Sequence, residues 1–138
     1  MGGAHIMIVY RIEDGSGRGL YHTENHKIDA IVDTHFWGPS NHPLPSEDGF
    51  SRSVLSRLKT QYGYWLFGFV TVNQLFDWFD AADPCVLDHL FKEQAIALKL
   101  DIPSRYVICK EHQCVFRQTH ATQLDIFKTR EALANEPF

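Results

Sequence analysis

The sequence predicts a single α+β domain, with a mostly antiparallel sheet of about five or six strands and two or three inserted helices. Its 138 residues, 44% of them hydrophobic and 22% charged, are enough for one domain with its own core. An aromatic strand runs directly into a helix within residues 62–79, and residues 95–102 alternate as a half-buried strand does. We interpret residues 1–6 as a remnant of cloning, so the predicted domain spans residues 7–138.

The first part of the domain favours a strand and a hairpin turn. Residues 7–12, MIVYRI, are interpreted as a strand. Residues 14–19, DGSGRG, carry three glycines, which adopt positive φ at little steric cost. We therefore expect a tight or bulged hairpin, after which residues 20–23 return as a short strand.

Residues 24–62 are the least regular part of the sequence. Residues 35–50 contain three of the six prolines and are typical of a surface loop. Residues 51–62 could form a short helix with Val54, Leu55 and Leu58 on one side. Loops of this length inside a compact domain are often functional lids or poorly ordered segments.

The segment YGYWLFGFVTVNQLFDWF, residues 62–79, holds eight of the eighteen aromatic residues. Thr71 and Gln74 form a capping-box pattern, and Val70 and Leu75 stand where a hydrophobic staple would close. The inward helical face is expected to carry Val72, Leu75, Phe76 and Phe79. The pattern predicts a buried strand that feeds a helix over residues 72–80, packed on the same core.

A second helix is predicted to follow directly. Asp83 is expected to be its N-cap with Pro84 at the first helical position, and the helix should run to about Glu93. Its inward residues are expected to be Val86, Leu87, Leu90 and Phe91.

The C-terminal part favours strands. In residues 95–102 the even positions Ile96, Leu98, Leu100 and Ile102 should face the core. Residues 106–108 and 113–116 are interpreted as two further strands of a meander. Residues 123–127 are expected to form a last strand, and residues 129–134 a short helix.

Charge and cysteine content narrow the class of protein. The formal net charge is −4, so no basic excess suggests direct nucleic-acid binding. No apolar run approaches the roughly 18 residues of a membrane span, and no signal peptide is visible. Three cysteines form no CxxC pair, which favours a reducing, cytoplasmic compartment. Cys109 and Cys114 could face each other across a hairpin, most simply as small buried side chains.

Three sets of residues are better explained without a catalytic or binding role. The histidines His22, His26, His35 and His42 lie in the irregular segment, so we expect solvated loop side chains and no metal site. The glycines of residues 14–19 precede no helix start, unlike those of a phosphate-binding loop. Asp77, Asp80 and Asp83 fit a solvated helix face and a cap better than paired catalytic acids.

Short motifs in a fixed order resemble a family of short, mostly uncharacterised phage and prophage proteins. These motifs are YRIEDGSGRGLY at residues 10–21, HPLPSEDG at 42–49, FGFVTVNQLFDWF at 67–79 and HQCVF at 112–116. The resemblance covers the whole predicted domain. It implies a phage or mobile-element origin and no defined activity.

The order of elements is also similar to ADP-ribosyltransferase-like folds. In that family an Arg on the first strand helps hold the dinucleotide, a Ser-Thr-Ser strand end precedes a helix, and a Glu-x-Glu pair supplies the catalytic acid. Arg11 matches the first feature and Thr71 the middle residue of the second. Glu111 matches the first glutamate, but Gln113 replaces the second, and an amide cannot accept a proton or carry negative charge.

Two functions follow from these resemblances. The leading hypothesis is a cytoplasmic, phage-encoded protein without a cofactor that binds and inhibits a host protein or defence complex, as anti-defence or anti-CRISPR factors do. The alternative is an NAD-dependent ADP-ribosyltransferase. In it Arg11 would hold the pyrophosphate or ribose, Tyr21 or a nearby aromatic would stack on nicotinamide, Thr71 would stand at the strand end, and Glu111 or Gln113 would orient the acceptor. The missing glutamate favours binding.

Overall fold

A computed structural model describes residues 5–17, 19–20, 23–35, 65–81 and 84–136. Within them the chain forms four α-helices and six strands, which confirms the predicted α+β class. In chain order the elements are β1 (Ile6–Glu13), α1 (His26–His35), β2 (Trp65–Gly68), α2 (Val72–Asp80), α3 (Val86–Lys92), β3 (Ile96–Pro103), β4 (Val107–Cys109), β5 (Cys114–Arg117), β6 (Thr122–Phe127) and α4 (Arg130–Ala134).

The six strands divide between two antiparallel sheets. One sheet has the order β1-β3-β6 and the other β2-β5-β4. In the described part of the chain a bridge joins them, in which Tyr10 and Phe69 exchange N–H···O bonds of 2.7 and 2.8 Å. The chain leaves the first sheet at Pro103 and turns through the short 3₁₀ segment Ser104–Tyr106 before β4. β4 then pairs with β5 in the second sheet and not with β3. The prediction that the strand over residues 95–102 continues into the meander was therefore wrong.

The β1–β3 pair is buried on both faces. Its helix-facing side contacts a core formed with α1, α2, α3 and α4, in which Leu75, Leu87 and Leu133 are fully buried. Its other side packs on the second sheet through Val9, Leu98, Leu100, Ile102, Cys114 and Phe116. The even positions of β3 face this second core as predicted, although Ile96 is only half-buried.

Several local predictions are confirmed. The helix over Val72–Asp80 begins at the predicted Thr71 cap, and Val72, Leu75 and Phe79 are its buried residues. The glycine-rich segment turns through Gly17, at a φ of 93°. Beyond the turn, Glu13 bridges Gly19.

Other boundaries differ from the predictions. α3 begins at Val86 after the N-cap Cys85, so Pro84 lies in the preceding turn and Asp83 lies outside the described residues. Of the predicted strand over residues 20–23, Leu20 and Thr23 belong to no strand, and residues 21–22 lie outside the described residues. β1 begins at Ile6, which pairs with Pro103.

The expectation of an irregular segment from residue 24 was wrong at its start. His26 and His35 bound the ten-residue helix α1 instead of lying in a loop. Asn25 starts this helix, since its side-chain oxygen accepts the N–H groups of Lys27 and Ile28 at 3.0 and 3.1 Å. The predictions for residues 36–62, and for His22 and His42, lie outside the described residues.

None of the helices in the described part of the chain is long and apolar enough to cross a membrane.

Candidate functional site

The Arg11 side chain is held between β1 and β2. Its Nε donates to Glu13 at 2.8 Å and its Nη1 to the carbonyl of Phe67 at 2.6 Å. Both Arg11 and Glu13 side chains are 11% exposed. A Cβ at Gly19 would lie 2.5 Å from Nη2 of Arg11, so glycine there leaves room for the guanidinium. These contacts fasten two strands and the hairpin turn, and they leave little of Arg11 available to a ligand.

Thr71 and Gln74 connect α2 to the hairpin between β4 and β5. The Thr71 hydroxyl accepts the Gln74 N–H at 3.0 Å, as a helix cap does. The Gln74 side chain accepts the Val70 N–H at 2.9 Å and donates to the Glu111 carbonyl at 3.0 Å. The Thr71 cap is therefore confirmed, but the return bond of the predicted capping box goes to Val70, one residue before the cap, and the same amide ties the helix start to the hairpin tip.

The other predicted site residues differ in exposure. Glu111 lies exposed at the hairpin tip, where Lys110 N–H donates to Gln113 O at 2.9 Å. Gln113 is 5% exposed, just before Cys114, the register partner of Gly68. Tyr21 lies outside the described residues.

Arg11 and Gln113 lie on opposite sides of β2. The Arg11 guanidinium contacts β2 from β1, whereas β5, which Gln113 precedes, pairs with the other edge of β2. Two strand spacings, about 10 Å, therefore separate their backbones. This distance is within the span of one dinucleotide, but both side chains are nearly covered.

A surface groove lies elsewhere, with a volume of about 490 Å³. Its apolar lining residues are Phe91, Ala95, Ile96 and Ile126, and its polar ones include Asp14, Ser16, Asn25, Gln94 and Lys128. Of the predicted site residues that the structure describes, none lines it. Asp14 is 1% exposed and accepts the Ser16 N–H and hydroxyl at 3.0 and 2.8 Å and the Thr23 hydroxyl at 2.5 Å. This carboxylate therefore organises the hairpin turn at the rim of the groove.

Strand β6 continues from this groove along the edge of its sheet. The side chains of residues 122–126 are all exposed, including Leu124 at 49% and Ile126 at 40%. Leu124 has no register partner on β3, because the ladder shifts between Lys99 and Leu100. The Ile126 N–H donates to the Asp125 carboxylate at 2.8 Å. We call residues 122–128 together with the groove the edge surface.

The edge surface was missed by the sequence interpretation. Residues 123–127 were assigned as a strand, but only the strand order shows that this strand has one neighbour among the described strands. An exposed edge with large apolar side chains is a template for pairing with another chain. The sequence feature that could have indicated this exposed edge is a charged residue, Asp125, between two large apolar residues, Leu124 and Ile126.

Three comparisons with known proteins complete these observations. Residues 7–130 match the family model described as Bacteriophage T4 Y00F protein. No curated protein and no solved structure matches the chain, so the similarity to ADP-ribosyltransferase-like folds gains no support. The chain belongs to the Bacteriophage T4 Y00F protein family, which confirms the phage resemblance.

Proposed function

We propose that this phage protein binds a host protein in the host cytoplasm and inhibits it by occlusion, as an anti-defence or anti-CRISPR factor would. The observation that carries the proposal is the edge surface. An extended segment of the partner would add to β6 as a further strand, with main-chain hydrogen bonds supplying affinity and side-chain contacts supplying specificity.

Leu124 and Ile126 supply the apolar part of this contact. Their side chains are 49% and 40% exposed, on an edge whose charge, Asp125, lies between them. Ile126 also lines the groove, so a side chain of the added strand, or one flanking it, could enter there. The apolar lining residues of the groove would contact such a group, and its polar lining residues would orient it.

Asp125 defines the charge of the partner. It stands between the two apolar residues, and Lys99, its register partner on β3, forms a 3.0 Å ion pair with Glu136 instead. A basic residue opposite Asp125 would therefore be favoured, because opposite charges on neighbouring strands attract.

The same carboxylate argues against a second copy as the occupant. An antiparallel two-fold pairing that places Leu124 opposite Ile126 of the other copy would place Asp125 opposite itself. Like charges directly opposite each other are destabilising. A host segment with a basic residue at this position suits the edge better.

The alternative transferase hypothesis has less support from the side chains. It needs Arg11 to meet an anionic pyrophosphate, but the guanidinium already bonds to Glu13 and Phe67. It needs a carboxylate where Gln113 stands. Titration calorimetry with millimolar NAD should give no binding heat. The transferase would be favoured instead if NAD gave a saturable binding heat that the Arg11→Lys variant lacked, and if the Gln113→Glu variant hydrolysed NAD faster than wild type.

Substitutions on β6 test the binding proposal. Immobilised protein is exposed to extract of a bacterial host, and each retained protein is identified by mass spectrometry, repurified and titrated against the variants. The Leu124→Glu/Ile126→Glu double variant should weaken binding by about tenfold or more, because it places charge in the apolar contact. Asp125→Lys should weaken binding through repulsion of the basic partner residue.

Ile6→Glu is the matched control. Ile6 lies on β1 of the same sheet and is 54% exposed, so this variant adds one negative charge, half of what the double variant adds, away from the edge surface. It should bind like the wild type. A repurified partner that binds the double variant as tightly as wild type would contradict the role of β6. A concentration-dependent dimer that the double variant abolishes would assign the edge to a second copy.

A further inference from the structure

Cys109 and Cys114 face each other across the β4–β5 hairpin. They are register partners in the antiparallel ladder, as the sequence interpretation had allowed. Both are present as thiols, with Cys109 exposed and Cys114 fully buried. The pair therefore has one member that solvent reaches and one that it does not.

The hydrogen-bond pattern brings these side chains close together. Lys110 N–H donates to Gln113 O at 2.9 Å, so these two residues form a hydrogen-bonded pair around the Glu111–His112 turn. Hydrogen-bonded and non-hydrogen-bonded pairs alternate along an antiparallel ladder, which makes Cys109 and Cys114 a non-hydrogen-bonded pair. In such pairs the Cα atoms are about 4.5 Å apart, within the range of about 4.4–6.8 Å found in disulfides.

The environment favours the neutral thiol over the thiolate at both cysteines, so the reacting thiolate is a minor form. Burial raises the pKa of Cys114, and the neighbouring Cys109 raises it further, while a hydrogen bond from the Gly68 backbone opposes these effects. Burial also raises the pKa of Cys109. Since the thiolate is the nucleophile, the pair should be slow to react with weak oxidants.

We propose that Cys109 and Cys114 form an oxidation site that closes to an intrachain disulfide when the protein meets a peroxide. The Cys109 thiolate attacks one oxygen of hydrogen peroxide, the O–O bond breaks, and Cys109 becomes a sulfenic acid while hydroxide leaves. The Cys114 thiolate then attacks the Cys109 sulfur, the S–O bond breaks and a second hydroxide leaves. The two thiol protons convert the hydroxides to water, so two electrons pass from sulfur to peroxide.

The disulfide would act on the start of α2. The hairpin tip accepts hydrogen bonds from Gln74, whose own N–H is capped by Thr71. A disulfide between Cys109 and Cys114 would fix the pairing of β4 and β5 next to the hairpin tip. It would also lower the conformational entropy of the unfolded chain. Oxidation should therefore raise the melting temperature, and dithiothreitol should reverse the change.

Intact-mass measurement after hydrogen peroxide treatment tests the site. The wild type should lose the mass of two hydrogen atoms and, after denaturation, keep only Cys85 available for alkylation. Cys85→Ser should lose the same mass, because Cys85 is outside the pair. Cys109→Ser should neither lose this mass nor gain thermal stability on oxidation, and its exposed position makes it the safer variant to fold.

Three outcomes would overturn the proposal. One is an oxidised wild type that keeps all three thiols available after denaturation. Another is oxidation that proceeds to a stable sulfinic acid at Cys109. The third is a disulfide between two chains, or one that includes Cys85.

Discussion

Thr71 holds the start of α2 through one side-chain hydrogen bond. Its hydroxyl accepts the Gln74 N–H at 3.0 Å, while its backbone is extended at φ −137° and ψ 157°. The site itself is exposed, so packing contributes little to the effect of the hydroxyl. A substitution at Thr71 therefore reports mainly on the cap.

Thr71→Ala should lower the free energy of unfolding by about 1 kcal/mol, because it leaves one helix N–H without its partner. Urea unfolding followed by circular dichroism measures the change. Asn73→Ala is the control, since Asn73 is exposed in the first turn of the same helix. Equal effects of the two substitutions would contradict the cap assignment.

Tyr10 connects the first strand to the end of the chain. Its hydroxyl donates to Glu136 at 3.1 Å, and Lys99, the register partner of Tyr10, forms an ion pair with the same carboxylate at 3.0 Å. Burial first, and then Glu136, raise the pKa of Tyr10 to about 12. The folded state therefore favours the neutral phenol.

This contribution to stability should disappear at high pH. It is fully present below pH 10, where the phenol is neutral in both states, and it is lost as pH rises through about 12. Urea unfolding at pH 9 and at pH 11 should show a loss of stability in wild type that is smaller in Tyr10→Phe. The two thiols of the β4–β5 hairpin are present in both proteins, so any effect they have on the pH dependence of stability is the same in wild type and in Tyr10→Phe. Identical pH dependence would argue against the assignment.

At the scale of elements, Arg130 fixes α4 to α2. Its Nη1 and Nη2 donate to the two carboxylate oxygens of Asp80 at 2.8 and 2.6 Å, and its guanidinium lies 4.5 Å from the centre of the Phe76 ring. The hydrogen bond to Asp80 is the largest factor that raises the pKa of Arg130. A planar fork with a ring beneath it is geometry that lysine cannot reproduce.

Arg130→Lys should cost about 1 kcal/mol, a modest value because both side chains are about one-third exposed. Lys27→Arg is the matched control, because Lys27 is 78% exposed and its pair with Glu93 spans 3.8 Å. Thermal unfolding of both variants compares them. A Lys27→Arg effect as large as that of Arg130→Lys would mean that the fork geometry contributes nothing.

Two neighbouring aromatic residues of α2, Trp78 and Phe79, differ in burial. Phe79 is 3% exposed and its ring centre lies 6.1 Å from that of Phe69, whereas Trp78 is half-buried at 5.7 Å from the same ring. Phe79→Ala should cost about 3 kcal/mol, and Trp78→Ala should cost less. Denaturant unfolding of the two variants checks the order, and a reversed order would contradict the burial argument.

Local signals carried most of what could be predicted from sequence. The α2 cap follows from Thr71 and Gln74 within one turn, and the alternation of β3 follows from one strand. α1 had similar signals, with Asn25 as its cap and Ile28 and Val32 on one face, but the prolines farther along obscured them. Pro84 suggested a helix start two residues too early.

Contacts between distant residues could not be predicted in this way. The Tyr10–Glu136 hydrogen bond joins residues 126 positions apart, and the guanidinium of Arg11 is occupied by a carbonyl on β2. Neither contact leaves a pattern in a single sequence, because both depend on how the elements pack. The same holds for the edge surface, since strand order decides which strand lies at an edge.

At the scale of the whole molecule, the two sheets and the helices bury β1 and β3 and leave β6 exposed. Helices cover one face of the first sheet and the second sheet covers the other. Along β6 this cover ends, and five of its six residues are exposed. The architecture therefore concentrates exposed apolar side chains on a strand that has one neighbour in the described part of the chain.

Amide hydrogen exchange of β6 tests the proposed binding mode most directly. The host protein identified by capture would be repurified and mixed with the phage protein, and exchange in residues 122–127 compared with and without it. The account predicts slower exchange in β6 on binding, and no change in Asp29 and Asp33 on the exposed face of α1. Protection on other elements with β6 unchanged would contradict strand addition at this edge.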